Sequence, residues 1–126
     1  MKKKILLIED NEQNRYLVVF LLEKRGHEVV PAGDGPMGIA LARRIQPDLI
    51  LLDIQLPGMD GYAVARELRK NPALQGVPIV AVTSYAMAGD REKTLAAGCT
   101  AYLEKPIDPE TFGEEIDRQL AAEGPA

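Results

Sequence analysis

The chain has one cysteine, one histidine and no tryptophan in 126 residues. A lone Cys99 excludes an internal disulfide and any cysteine-rich metal centre, and reads as a small buried apolar residue. His27, the only imidazole, stands at the start of an expected strand and away from the acids that follow other strands. A zinc hydrolase with histidine ligands is therefore disfavoured, and His27 is assigned a structural or solvent-facing place. Long apolar stretches are missing too: Ile5, Leu6, Leu7 and Ile8 run straight into Glu9 and Asp10. No signal peptide, membrane span or membrane partner is expected, and the location is expected to be cytoplasmic. Beyond Lys2 to Lys4 no basic cluster occurs, and 15 Lys and Arg against 19 Asp and Glu give a net charge of -4, which leaves no footprint for nucleic acid. Internal repeats and low-complexity tracts are absent as well.

Hydrophobic residues make up 46% of the chain and charged residues 27%, enough for a soluble unit with a buried core. We expect one domain over residues 1–126, with a core from about 4 to 122 and a fraying Gly124-Pro125-Ala126 tail. Four short apolar runs, Ile5 to Ile8, Leu49 to Leu52, Ile79 to Val82 and Ala101 to Leu103, predict buried strands, and His27 to Val30 predicts a weaker one. Segments with helical spacing separate them. Such alternation predicts a three-layer, doubly wound α/β fold with a parallel sheet. Gly26 is placed to end a helix over Glu12 to Arg25, and Gly98 one over Asp90 to Ala97. Asp108, Pro109 and Glu110 predict the start of a last helix whose apolar stripe is Phe112, Ile116 and Leu120.

Parallel sheets bind ligands at the C-terminal ends of their strands. The first strand ends in Glu9 and Asp10, the third in Asp53, the fourth in Thr83 and Ser84, and the fifth in Glu104, Lys105 and Pro106. One acid after a strand is ordinarily a turn former or helix cap. Acids from separate strands meeting at one rim repel each other unless a cation joins them, and all-oxygen donors suit magnesium, with manganese as the alternative. Such a cation beside Lys105 and the Thr83 hydroxyl would make a pocket for a phosphoryl group, with Asp53 as a nucleophile able to form an acyl phosphate.

At these residues the chain resembles the receiver domains of two-component response regulators. The resemblance is carried by Ile8-Glu9-Asp10-Asn11, Asp53-Ile54-Gln55-Leu56-Pro57-Gly58-Met59-Asp60-Gly61, Ala81-Val82-Thr83-Ser84 and Tyr102-Leu103-Glu104-Lys105-Pro106-Ile107, and it runs from about Lys4 to the last helix. Ile54 to Pro57 and Ala86 to Asp90 look most like stand-alone cell-cycle receivers and receivers attached to hybrid kinases. The resemblance implies a flavodoxin-like strand order 2-1-3-4-5. It also implies that Asp53 accepts a phosphoryl group from a phosphohistidine, and that Asp10, Asp53 and the Gln55 backbone carbonyl hold Mg2+, with Glu9 reaching it through water. Lys105 would grip the phosphoryl group across a cis bond to Pro106, Thr83 would donate its hydroxyl to it, and Tyr102 would turn inward as the switch. Gln55 and Tyr85 would shape water access, unless they are plain loop packing, with Ser84 beside them. Glu9 departs from the family pattern, which often has aspartate there.

The implied partners are a histidine kinase or histidine phosphotransfer protein, and a downstream protein met through the fourth helix, fifth strand and fifth helix; a monomer is expected. A magnesium-dependent phosphohydrolase is the rival reading, but it needs an acid two residues after its nucleophile, where Gln55 stands. An unphosphorylated receiver-like binding module would not need the whole set of Asp10, Asp53, Thr83 and Lys105. A nucleotide-binding sheet is a poorer fit, since no glycine-rich loop follows the first strand. Tyr16 to Leu22 is unbroken apolar sequence, which encircles a helix. Leu17, Val18 and Leu21 are expected to face the sheet, and Tyr16, Val19 and Phe20 to face outward as a docking patch.

Overall fold

The computed structural model describes residues 2–56, 58–84 and 90–122. Pro57, Tyr85 to Gly89 and the Gly124-Pro125-Ala126 tail lie outside the described residues. The elements alternate: β1 (Lys4–Ile8), α1 (Glu12–Lys24), β2 (Glu28–Ala32), α2 (Gly35–Ile45), β3 (Leu49–Asp53), α3 (Gly61–Arg69), a 3-10 turn (Pro72–Leu74), β4 (Ile79–Thr83), α4 (Asp90–Ala96), β5 (Ala101–Glu104) and α5 (Phe112–Ala122). The strands are all parallel, in the order β2-β1-β3-β4-β5.

Alternation along the strands divides the core into two layers. Leu6, Ile8, Ile50, Leu52, Ile79 and Ala81 pack against Ala42 of α2 and Val64, Ala65 and Leu68 of α3. Ile5, Leu7, Leu49, Leu51, Val80 and Val82 meet Val18 and Leu22 of α1 and Phe112, Ile116 and Leu120 of α5. Each fully buried aliphatic contributes about 2 kcal/mol, so runs of four or five determine where the strands form.

Side-chain caps set the start of each early helix. Asn11 accepts from the Asn14 N–H at 2.9 Å, Asp34 from Met37 at 2.8 Å and Asp60 from Ala63 at 2.8 Å. Gly26 (φ 92°) and Gly98 (φ 107°) follow α1 and α4 in the left-handed region, as expected. Two boundaries differ from the sequence expectation. The β2 strand runs two residues further, through Pro31, which an edge strand tolerates because the missing N–H faces away from the sheet. The regular part of α5 begins at Phe112, after a turn in which Asp108 Oδ1 accepts from the Glu110 N–H at 2.9 Å and the Asp108 carbonyl from Phe112 at 2.9 Å.

His27 is buried, in keeping with a structural place. Its Nδ1 accepts the Lys3 N–H at 3.3 Å, which leaves Nε2–H to donate to Asp117 Oδ1 at 2.7 Å. Arg25 joins the same carboxylate at 2.6 Å, tying the α1–β2 turn to α5. Burial pushes the Asp117 carboxyl up, but the hydrogen bonds and charges of His27 and Arg25 more than reverse this and hold it below its usual range.

Candidate functional site

Strand register brings the functional side chains to one edge. Ile8 is level with Leu52, Asp53 with Val82, and Thr83 with Glu104, so the residues that end or follow these strands emerge side by side. Glu9, Asp53 and Thr83 are each only 3% exposed, whereas Asp10 is exposed, as expected of neighbours that alternate across a strand end. The close approach of α3 completes the floor. A Cβ on Gly61 would lie 2.4 Å from Ile54 Cα and 2.8 Å from the Asp53 carbonyl oxygen, so only glycine lets the helix start this near the end of β3.

Lys105 anchors the other side. Its backbone N–H donates to the Thr83 carbonyl at 2.8 Å, and its bond to Pro106 is cis. Its ammonium donates to Asp53 Oδ2 at 3.1 Å and lies 3.5 Å from Glu9 Oε1. The remaining carboxylate oxygens are occupied by backbone: Asp53 Oδ1 accepts from the Gln55 N–H at 2.8 Å, and Glu9 Oε2 from the Asn11 N–H at 3.1 Å. One ammonium thus faces two buried carboxylates, with Asp10 close by. Oxygens of Glu9, Asp10 and Asp53 all lie within 4.8 Å of one another. The Glu9 carboxyl is pushed up to about 7, first by burial and then by donating to Asp53 when protonated, against the opposing pull of the Asn11 N–H and Lys105. This excess of negative charge and the all-oxygen donor set fit a hard divalent cation.

Gln55 has a definite packing role: its Oε1 accepts from the Ser84 N–H at 3.2 Å, joining the loops after β3 and β4. Ser84 and Pro106 are exposed at the rim, and Tyr102 is half-buried against the core layer that holds Ile79 and Ala81. Tyr85 lies outside the described residues. Arg15 escaped the sequence reading. Arg15 Nη1 donates to the carbonyls of Glu9 at 2.9 Å and Asp10 at 3.1 Å, locking the turn that presents both acids. The available signal was that Arg15 is the only basic residue between Lys4 and Lys24, one turn beyond the acidic pair.

A groove of about 460 Å³ opens beside the rim, lined by Asn14, Leu17, Ser84, Lys105, Pro106 and Ile107. Further along α1, Tyr16 is 76% exposed and Phe20 54% exposed, as expected. Val19 is instead half-buried against the α1–α5 core layer, because the helix lies closer to α5 than its run of apolar residues alone reveals.

A doubly wound sheet with buried acids, a lysine and a hydroxyl at the C-terminal ends of its strands defines the class of phosphoacceptor signalling switches. The chain belongs to the response regulator receiver domain family, whose model matches residues 5–117. It is 42% identical over 120 residues to the polar-differentiation response regulator DivK of Brucella anthropi, covering 95% of this chain and 98% of that protein. The chemotaxis protein CheY4 of Vibrio cholerae superposes with a TM-score of 0.90 at 29% identity, covering 94% of this chain and 98% of that one. The receiver domain of the sensor histidine kinase PA1611 of Pseudomonas aeruginosa, solved with a magnesium ion in its active-site cleft, does so with a TM-score of 0.87 at 36% identity over 96% of this chain and 99% of that one. The protein is therefore a regulatory phosphoacceptor of two-component signalling rather than a conventional enzyme. Receiver domains bind Mg2+ in an acidic pocket, exchange signals with histidine kinases and act on downstream targets. No helix of the described residues is long and apolar enough to cross a membrane.

Proposed function

We propose that Asp53 is the phosphoacceptor of a single receiver unit spanning residues 4–122, which takes its phosphoryl group from the phosphohistidine of a kinase or phosphotransfer protein. The observation that carries this reading is the position of the Lys105 ammonium, 3.1 Å from Asp53 Oδ2 inside a three-carboxylate cluster. Glu9, Asp10, Asp53 and the Gln55 backbone carbonyl would hold Mg2+, or Mn2+ in its place. Bound there, the cation would neutralise charge on the phosphoryl oxygens.

The protein's own part is positioning. Asp53 is held by the Gln55 N–H and Lys105 with its carboxylate at the rim. Attack by an Asp53 oxygen forms the O–P bond as the P–N bond to the donor imidazole breaks, its electron pair returning to the ring nitrogen. Lys105 then moves its donor bond from the carboxylate to the phosphoryl oxygens. Thr83, at the end of β4, donates its hydroxyl to the same group, and Tyr102 rotates into the space released. The face formed by α4, β5 and α5 reads out the change by binding a target protein, with the receiver a cytoplasmic monomer. Tyr16 and Phe20, beside the rim groove, form the docking patch for the helical histidine protein.

The test is incubation with a small phosphodonor and Mg2+ followed by intact mass. A gain of one phosphoryl group in the wild type and none in Asp53→Asn is expected; equal labelling of both proteins would refute the assignment.

A further inference from the structure

The opposite edge of the sheet, where β4 and β5 begin, carries a second groove of about 320 Å³. It is lined chiefly by Arg69, Gln75, Gly76, Pro78, Thr100 and Gln119. Arg69 closes α3 and crosses to the α4–β5 turn. Its Nε donates to the Gly98 carbonyl at 2.8 Å, Nη1 to the Leu74 carbonyl, and Nη2 to Thr100 Oγ1 at 3.4 Å. Its stem fills the space a Cβ on Gly98 would occupy, with Cγ 2.6 Å from that position.

All three acceptors are neutral. Arg25 and Arg118 each pair with a carboxylate, but Arg69 forms no ion pair among the described residues. Burial holds its guanidinium below the usual value, against a smaller opposing pull from Cys99, and no carboxylate lines the groove. The fork still has unspent N–H donors on both Nη atoms. Thr100 Oγ1 already accepts from the Ile79 N–H at 3.1 Å and from Arg69, which leaves its hydroxyl hydrogen free to donate. The Gln119 amide has no partner among the described residues. A fixed guanidinium with free donors, an adjacent hydroxyl and an amide match the fork geometry of a carboxylate or phosphate, and because the guanidinium and the hydroxyl are already held in place, ordering them on binding costs little conformational entropy.

We propose that this groove is a second ligand site, at the far edge of the sheet from Asp53, that binds a small molecule bearing a carboxylate or phosphate group. The oxyanion sits on the free Nη donors of Arg69 and the Thr100 hydroxyl, with Gln119 beside it. The volume is at the low end for small-molecule pockets, which favours a short dicarboxylate or a simple phosphate ester over a nucleotide.

The test uses the full chain without Mg2+. Succinate and inorganic phosphate are titrated separately at constant ionic strength, with chloride as the control, while nuclear magnetic resonance follows the Arg69 Nε–H, the Gly76 and Thr100 amides and the Gln119 side chain. Saturating shifts at these groups with one or both probes are expected, and whichever probe saturates identifies the oxyanion. Gly76→Asp supplies the blocking variant, since nothing lies within 4 Å of the Cβ position at Gly76 and the backbone there is not left-handed. It should weaken binding at least about tenfold by like-charge repulsion, while the melting temperature and the rate of Asp53 phosphorylation by a small phosphodonor stay at wild-type values. Shifts that rise linearly, that chloride reproduces, or that Gly76→Asp leaves unchanged would overturn the proposal and leave Arg69 as a clamp between α3 and the α4–β5 turn.

Discussion

Replacing Glu9 by glutamine should stabilise the metal-free protein at high pH and weaken its hold on magnesium. The folded state raises the Glu9 carboxyl from 4.5 to about 7, chiefly by burial. A carboxyl raised on folding contributes most to stability below its unfolded value, and that contribution is lost as pH climbs through the folded value. Between about pH 4.5 and 7 the wild type therefore forfeits about 3 kcal/mol, at 1.36 kcal/mol for each tenfold change in proton affinity. Glutamine keeps an acceptor for the Asn11 N–H and carries no charge, so Glu9→Gln forfeits none of it. Urea or thermal unfolding without magnesium should show the two proteins nearly equal near pH 4.5 and the variant ahead by up to about 3 kcal/mol near pH 8, on the order of 10 °C for a domain of this size. Magnesium must displace the Glu9 proton, so wild-type affinity should fall about tenfold from pH 8 to pH 6, a slope the variant lacks. A stability difference that stays flat from pH 5 to pH 8 would refute the argument, because it would mean that Glu9 ionises in the folded protein as freely as in the unfolded chain.

Lys105→Ala leaves the buried Glu9 and Asp53 carboxylates without their ammonium; it should cost about 2 kcal/mol in metal-free buffer near pH 8, and magnesium should restore most of that in a thermal melt. Phe20→Ser should slow phosphotransfer from the cognate histidine protein about tenfold while labelling by a small phosphodonor remains near wild type, because the ring is exposed and supports no core contact. Gly61→Ala drives a Cβ into the backbone of Ile54 and should destabilise by at least about 2 kcal/mol in chemical denaturation, or else displace α3 and lower the phosphorylation rate. Hydrogen exchange before and after phosphorylation should change over Arg91 to Lys105 more than over α2 and α3, since Thr83 and the β5 residues are joined through the Lys105 N–H.

Three of the strands that carry the site, β1, β3 and β4, were legible because each is a run of four or five buried residues, nearly all apolar, that stops at a polar one; β5 has only the three apolar residues Ala101 to Leu103, and these are half-buried rather than buried. Parallel pairing then leaves no choice about which edge Glu9, Asp53, Thr83 and Lys105 share. Other features depended on contacts between distant parts of the chain. Val19 is apolar on an apolar helix, and only the position of α5 determines that it is covered while Phe20 is not. Arg15 reads as an ordinary helix cation until the backbone curls back under it. The extension of β2 through Pro31 contradicts local propensity and is allowed only by the place of β2 at the sheet edge. Arg69 looks like a last-turn cation facing the helix dipole, and nothing in its spacing shows that it crosses to a different loop.

The two outer strands also determine how the molecule behaves in a crowd. A parallel sheet with open flanks can recruit any extended chain as another strand, and copies of itself are the commonest candidates. In β2, Glu28 donates to the Lys3 carbonyl and Ala32 accepts from the Glu9 N–H, so alternate residues face β1 and Pro31 falls on the outward side. There the flank lacks a donor that an incoming chain would need. At the other flank β5 is only four residues long and ends in the exposed Glu104, which offers too short a template and places a charge at its mouth. The backbone of the receiver thus resists polymerising, and recognition is left to the side chains of its helices and rim, where it can be specific and reversible.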